Sequence, residues 1–536
     1  MKNIYDYLKN KLSLGNVLSG LGLCILFLLL RWNTVNIPLI RDEGEFAYDA
    51  WLMLKNIPPY LKAFSQTPPM TTYTYVLAYW LNPNAFCAPR IISYIFVALA
   101  TMLLGLIARK EFGRGAGWIA AWVVTPLILF PAIRAFAAKQ EKFLLLPLIG
   151  VLYAYIFWNK KSSYKQWFIA GLLSAITLLY KPTVLPIILF IFIVQIIETW
   201  QYIPELKELF KKIVWGVLGG VLAVIMAFAF YFAHNSLSAF WEGVITYNKY
   251  YLDYSGFGWP FFFQYLKLFW AHWWILVLFS AYFFIKRPPR WWFYLGLLIS
   301  ALFSTAGSAY YQYYIPLMPI WALVVTGGIV SLAQDLSQKI KLPAGYLRAG
   351  ILVMVVFLLI WPSRQKLMLS PLQFQLEYFR GRDYLGGNPF YESPIVAKKV
   401  QQITSTDDYV YIAGSEPQIL YYARRQSPTR FIWAYPLTQT SMALKYQKEV
   451  IQALEMFPPE VIVFVKDNRS WLRDENSPVL IFDYLNSLQQ KKYRPIGGFV
   501  QTRQGGFWHE PLIAGLYPKS QYSLIVYKKS ARADYE

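Results

Sequence analysis

Arg41-Asp42-Glu43-Gly44-Glu45 follows the first long apolar segment of the chain at once. That segment, about Val17 to Leu30, carries no charge and reads as a membrane helix. Carboxylates at the exit of such a helix lie at the lipid–water boundary. At the bilayer centre an Asp would cost roughly 2.5–3.5 kcal/mol on insertion scales. At the boundary it escapes most of that cost and still meets a substrate half-embedded in lipid. Solvated charges that merely end a helix are the alternative, and the rest of the chain has to decide.

Composition sets the class. The chain is 57% hydrophobic, 19% aromatic and 15% charged over 536 residues, where a soluble protein carries about 25% charge. Apolar runs of spanning length recur between short basic loops, so the expectation is a polytopic α-helical membrane protein in contact with membrane lipids. Met1–Gly15 is too polar and charged for a cleaved signal, so the first span is expected to stay. The net charge of +22 does not point to nucleic acid, because Lys and Arg punctuate alternate loops without an aromatic-interleaved basic domain.

Candidate spans fall near 15–33, 90–108, 116–133, 143–158, 166–180, 182–198, 213–233, 262–285, 291–304, 312–331 and 349–361. One long broken helix is the alternative for 166–198. About 11 spans put the termini on opposite sides. Every loop on the N-terminal side is basic, among them Arg109, Lys110 and Arg114, then Lys286, Arg287 and Arg290. The positive-inside rule makes that side cytoplasmic. Asp42, Glu43 and everything past Trp361 then face outward from a bacterial inner membrane.

Two domains follow: 1–361, which spans the membrane, and 362–536, an extracytoplasmic α/β domain. In the second, strand-like Tyr409–Ala413, Val461–Val465 and Tyr522–Tyr527 flank helix-like Pro417–Arg424 and Val479–Lys491. It has no G-x-G-x-x-G or Walker motif, so nucleotide binding lacks support. Cys24 and Cys87 define no redox or metal framework, and His234, His272 and His509 lack ligand spacing. The first external loop, 33–89, reads as two interfacial helices, Asp42–Leu54 and a stretch from Tyr73 to Trp80, around the turn Ile57-Pro58-Pro59-Tyr60.

Asp42-Glu43-Gly44, the Pro-Tyr turn and Pro68-Pro69 resemble the first external loop of membrane glycosyltransferases with the GT-C fold. The branch is that of bacterial relatives of protein O-mannosyltransferases and the aminoarabinose transferase acting on lipid A. Phe130–Glu141 resembles the family's second outer loop, with its acidic residue at Glu141. Gly171–Pro182 resembles the Gly-rich span closing in Lys-Pro. Gly307–Pro319 resembles the start of the tenth span, with Gln312-Tyr313 for the usual His-Tyr. Ser415-Glu416-Pro417 and Tyr421-Tyr422 resemble the soluble domain. Two departures matter. Many relatives have Lys where Thr67 stands, and the aminoarabinose transferases have Tyr where Phe46 stands. Both hold donor phosphate there, so those contacts must come from elsewhere, with Lys181, Arg134 and Lys139 the available outer-face cations.

The resemblance implies an inverting transfer from a polyprenyl-phosphate sugar to a glycan, lipid or protein acceptor, without a covalent enzyme intermediate. The chemistry agrees, since no nucleotide sugars exist outside the cytoplasmic membrane and a lipid-borne donor supplies a phosphate leaving group. Asp42 is the candidate base, a role worth typically 10²–10⁴-fold in rate. Glu43 would orient it or touch a metal or the acceptor, and Glu141 would position substrate. A divalent metal stays open as a cofactor, with Asp42 and Glu43 its candidate ligands. Lys181, Arg134 and Lys139, with Gln312 and Tyr313, would meet the donor phosphate. A flippase of lipid-linked glycans would explain the spans equally well, but no convincing inverted repeat is visible. A structural envelope subunit would leave Asp42-Glu43-Gly44 idle.

The charge bias makes a prediction. In a Cys-free background, cysteines at Ser163 and Ser405 should react with an impermeant reagent from opposite sides of the membrane. Equal labelling in intact cells would refute the external domain.

Overall fold

The computed structural model describes residues 14–129, 136–158, 163–202, 205–254, 259–305, 310–380, 387–510 and 522–530. Two compact units emerge. One comprises 1–35, 90–225 and 258–369; the other comprises 36–89, 226–257 and 370–536. The loop 33–89, expected within the membrane domain, thus groups almost wholly with the C-terminal residues.

The first unit is helical. Over the whole chain, six helices among the described residues are long and apolar enough to cross a membrane: Ala88–Phe112, Pro182–Tyr202, Leu206–Ala233, Leu266–Lys286, Leu317–Ile340 and Ala344–Met368. Shorter apolar helices occupy three more expected spans, at Gly15–Leu29, Ala116–Ile128 and Trp291–Thr305. The expected spans near 143–158 and 166–180 form helices of only 12 and 17 residues, Leu145–Ile156 and Tyr164–Tyr180. Lys181 and Pro182 separate the latter from the next helix, because Pro182 disfavours helical backbone at the residue before it. The 166–198 region is therefore two helices.

Leu317–Ile340 lies at the centre of this unit, packed by Trp259–Lys286, Ala116–Ile128, Trp291–Thr305 and Ala344–Ile360. Peripheral helices keep apolar faces outward. On Leu14–Leu29 the exposed stripe is Leu18, Leu21, Ile25 and Leu28, at helical spacing. Water would penalise that stripe, whereas lipid does not. Helix contacts then rely on small residues. A Cβ on Gly171 would meet the Gly216 carbonyl oxygen at 1.8 Å, so the helices at 164–180 and 206–233 approach backbone to backbone.

The loops sort as their charge suggests. Lys110 donates to the Ile156 carbonyl, Arg290 lies 3.4 Å from Glu111, and Arg348 donates to the Arg114 carbonyl at 3.1 Å. Four loops expected on one side thus touch one another. At the other end of the unit, Asn33 donates to the carbonyls of Lys366 and Leu369, and Arg90 to those of Thr34 and Val35.

The second unit contains a five-stranded sheet. Its strands are β1 (Val410–Ala413), β2 (Val461–Val465), β3 (Tyr493–Thr502), β4 (Gly505–His509) and β5 (Tyr522–Lys529). Their order is β1-β2-β5-β3-β4, with β1 and β2 parallel and the remaining pairs antiparallel. The hairpin β3–β4 was not expected, because Pro495 and the pair Gly497-Gly498 depress strand propensity; Pro495 adjoins a register shift in the pairing with β5. The first-loop helices are Arg41–Leu54 and Met70–Leu81, both slightly longer than expected. They pack on one another, with the Phe46 ring edge-on to that of Tyr75.

Helix Arg41–Leu54 packs directly on Pro417–Ala423. A Cβ on Gly44 would lie 2.5 Å from the Gln418 backbone nitrogen, so only glycine permits the approach. Gly44→Val should cost about 1–3 kcal/mol or more of stability through overpacking, read as a lower midpoint of thermal unfolding in detergent. An unchanged midpoint would mean that the two helices do not meet this closely.

Candidate functional site

In the second unit, Asp42 and Glu43 stand in the first turn of helix Arg41–Leu54. Carboxylates are favoured there by the helix dipole. Asp42 is half-buried, while Glu43 is fully buried and accepts a hydrogen bond from the Ile40 N–H at 3.2 Å. Glu43 therefore closes its own helix end, a task that needs no substrate.

Arg41 anchors this end. Its guanidinium donates to Glu416 at 2.7 Å, to the Tyr435 hydroxyl at 2.5 Å and to the Ser415 carbonyl, and it lies over the Phe390 and Tyr435 rings. Glu416 is fully buried. Tyr422 accepts from the Leu39 N–H at 2.9 Å. Ser415-Glu416-Pro417 and Tyr422, matched at first only as motifs, thus hold the backbone that carries Asp42.

Sequence reading missed two carboxylates on the same helix. Asp42, Glu45 and Asp49 fall at i, i+3 and i+7, one stripe, and that spacing was the available signal. Glu45 accepts from the Ser65 hydroxyl at 2.7 Å. Asp49 is 1% exposed, and neither of its oxygens has a partner among the described residues. Burial, and then the neighbouring charge of Glu45, push its carboxyl well above the usual carboxylate range.

In the first unit, Glu141, Lys181 and Tyr313 meet. Lys181 Nζ is 2.6 Å from Glu141 Oε1 and 3.0 Å from the centre of the Tyr313 ring. Both partners of the ion pair are buried. Burial pushes the Lys181 ammonium down to about 8, while Glu141 pulls it back up and nearby Lys139 adds to the fall. Lys139, itself buried, precedes the short helix Gln140–Phe143 that presents Glu141. Gln312 is buried beside Tyr313; among the described residues Gln312 Oε1 and Glu141 Oε2 lack hydrogen-bond partners. Arg134 lies outside the described residues. Among those described, no group of three or more His, Cys, Asp or Glu could hold a metal ion.

Residues 66–232 match the profile of the dolichyl-phosphate-mannose-protein mannosyltransferase family, a stretch that includes Glu141 and Lys181 and begins past Asp42. A comparison with curated proteins gives no significant match. Among solved structures, ArnT from Cupriavidus metallidurans bound to undecaprenyl phosphate is similar at 13% identity and TM-score 0.59, over 96% of this chain and 98% of its own. The archaeal oligosaccharyltransferase AglB from Archaeoglobus fulgidus, in complex with an inhibitory peptide and a dolichol-phosphate, is similar at 12% identity and TM-score 0.52, over 94% of this chain and 75% of its own. The chain has the GT-C fold of these membrane glycosyltransferases.

Two predictions follow from the geometry. Glu141→Gln leaves a buried ammonium without its counter-charge, so it should cost about 3–5 kcal/mol of stability, and Lys181→Met in the same chain should recover much of the loss in thermal unfolding. Asp49 titrates higher in the native state than unfolded, so its contribution to stability is lost as pH rises from its ordinary value of 3.8 to the raised native one. With chelator present, Asp49→Asn should be more stable than the unmodified chain, by a margin that widens as the pH rises above the ordinary carboxylate range.

Proposed function

We propose that the chain is an inverting glycosyltransferase that moves a sugar from a polyprenyl-phosphate carrier to a glycan, lipid or protein acceptor on the outer face of a bacterial cytoplasmic membrane. The observation that carries this reading is the likeness to ArnT bound to undecaprenyl phosphate, which extends over 96% of the chain. The family match through residues 66–232 supports the same donor class.

Asp42 is the base that takes the acceptor hydroxyl proton as oxygen attacks the anomeric carbon. Its half-buried position at a helix start leaves it reachable while the Arg41 network fixes its backbone. Glu43 holds the helix end through one oxygen and orients Asp42 by fixing that first turn. The phosphate leaves with the bonding electrons and needs a fixed positive partner. Lys181 has three N–H donors, spends one on Glu141 and lies over the Tyr313 ring; what remains of its donor capacity is assigned to phosphate oxygens. Glu141 acts by positioning Lys181. Lys139, Gln312 and Tyr313 line the same cluster, and Arg134 is assigned to the donor phosphate on its charge alone. A divalent metal at Asp42 and Glu43 fits less well, because Glu43 already accepts from Ile40.

The test uses purified protein and a polyprenyl-phosphate sugar. Asp42→Asn should fold and lose 10²-fold or more of its turnover. Lys181→Ala should weaken donor binding, whereas Lys110→Ala should not. Near-normal turnover of Asp42→Asn would remove that residue from the mechanism, and efficient turnover of a soluble nucleotide sugar would overturn the donor class.

A further inference from the structure

The mechanism uses the first carboxylate of the stripe Asp42, Glu45, Asp49 and leaves the other two without a task. A buried carboxylate is normally paired or bound to metal, since isolating it in a medium of low polarity is costly. Neither oxygen of Asp49 has a hydrogen-bond partner among the described residues, although the side chain is almost wholly enclosed. Glu45, one turn earlier, is 7% exposed.

Other oxygens of the second unit gather around this turn. Ser65 donates to Glu45, and its hydroxyl lies 3.0 Å from that of Thr67. The buried Tyr247 hydroxyl has no hydrogen-bond partner among the described residues, and Glu45 is among the charges acting on it. Two side chains here, Asp49 and Tyr247, are thus enclosed without a hydrogen-bond partner among the described residues.

A single proton on Asp49 would reduce the charge but would leave its second oxygen and Tyr247 as they are. A hydrated cation supplies both the missing charge and several water ligands. The donors are all oxygen, which suits a hard cation. Mg²⁺ and similar ions are commonly held by one or two carboxylates while keeping several waters. We propose that Glu45 and Asp49 hold a hard divalent cation, a site distinct in its ligands from Asp42 and independent of the transfer reaction.

Mn²⁺ binding to the full-length protein in detergent, followed by electron paramagnetic resonance at pH 7.5, tests the site. One Mn²⁺ per chain should bind and be displaced by Mg²⁺. Asp49→Asn and Glu45→Gln should each weaken binding tenfold or more, whereas Asp42→Asn should leave it within twofold. If the Asn variant does not fold, Asp49→Ser gives the same readout. Unaltered binding in the Asp49 variants, loss of binding with Asp42→Asn alone, or no bound Mn²⁺ in the unmodified chain would each overturn the proposal. Turnover is not measured, so failure of the transferase reading would leave this result standing.

Discussion

The second unit depends on the seating of one helix end. Arg41 reaches Glu416, Ser415 and Tyr435 at once, and Gly44 lets the same helix rest on the backbone of Gln418. A charge-assisted bond within a buried network is strong when every partner is satisfied and costly when one is removed. Residues nearly 400 positions apart are therefore locked in register. The consequence is local: Asp42 cannot drift along its helix, because the residues on either side of it are fixed.

In the first unit lipid removes the usual incentive to bury apolar side chains, so association comes from close fit and polar contacts between helices. The bare approach of Gly171 to Gly216 is one such fit. The Lys181–Glu141 pair is another kind of contact, expensive to bury and therefore informative where it occurs. Apart from Asn33, the contacts that gather the loops at each end involve Arg or Lys, the residues whose distribution suggested the topology.

Much of this was legible in the sequence, for identifiable reasons. Long uncharged runs such as 213–233 declare themselves by length, whereas Leu145–Ile156 is a short helix of only 12 residues. The first-loop helices were visible in their apolar periodicity. The hairpin β3–β4 was not, since its glycines and proline carry the signal of a loop. Glu141 and Lys181 could be nominated from motifs, but nothing in a linear sequence says that they bond, because 40 residues separate them. Glu43 was assigned to the chemistry from its place in the motif, and a hydrogen bond from the Ile40 N–H to one of its oxygens is a feature that only the structure shows. Asp49 lies outside the motif, two turns further along, and only a count of seven residues from Asp42 puts it on the same helical stripe.

The pairing of Lys181 with Glu141 also bears on how a cation can serve a departing phosphate. An ammonium held alone in this enclosure would lose its proton readily, since burial already lowers its affinity for it. A carboxylate at 2.6 Å keeps the charge in place before substrate arrives. The same carboxylate cancels part of the field felt by a dianion, so the lysine can be a contact for phosphate only if its remaining N–H groups are directed at the oxygens. Substituting Arg would not be neutral, because its planar fork would prefer both oxygens of Glu141, and Glu141 Oε2 has no competing partner among the described residues. On the proposed reading, the compact lysine suits a position that answers to two anions in turn.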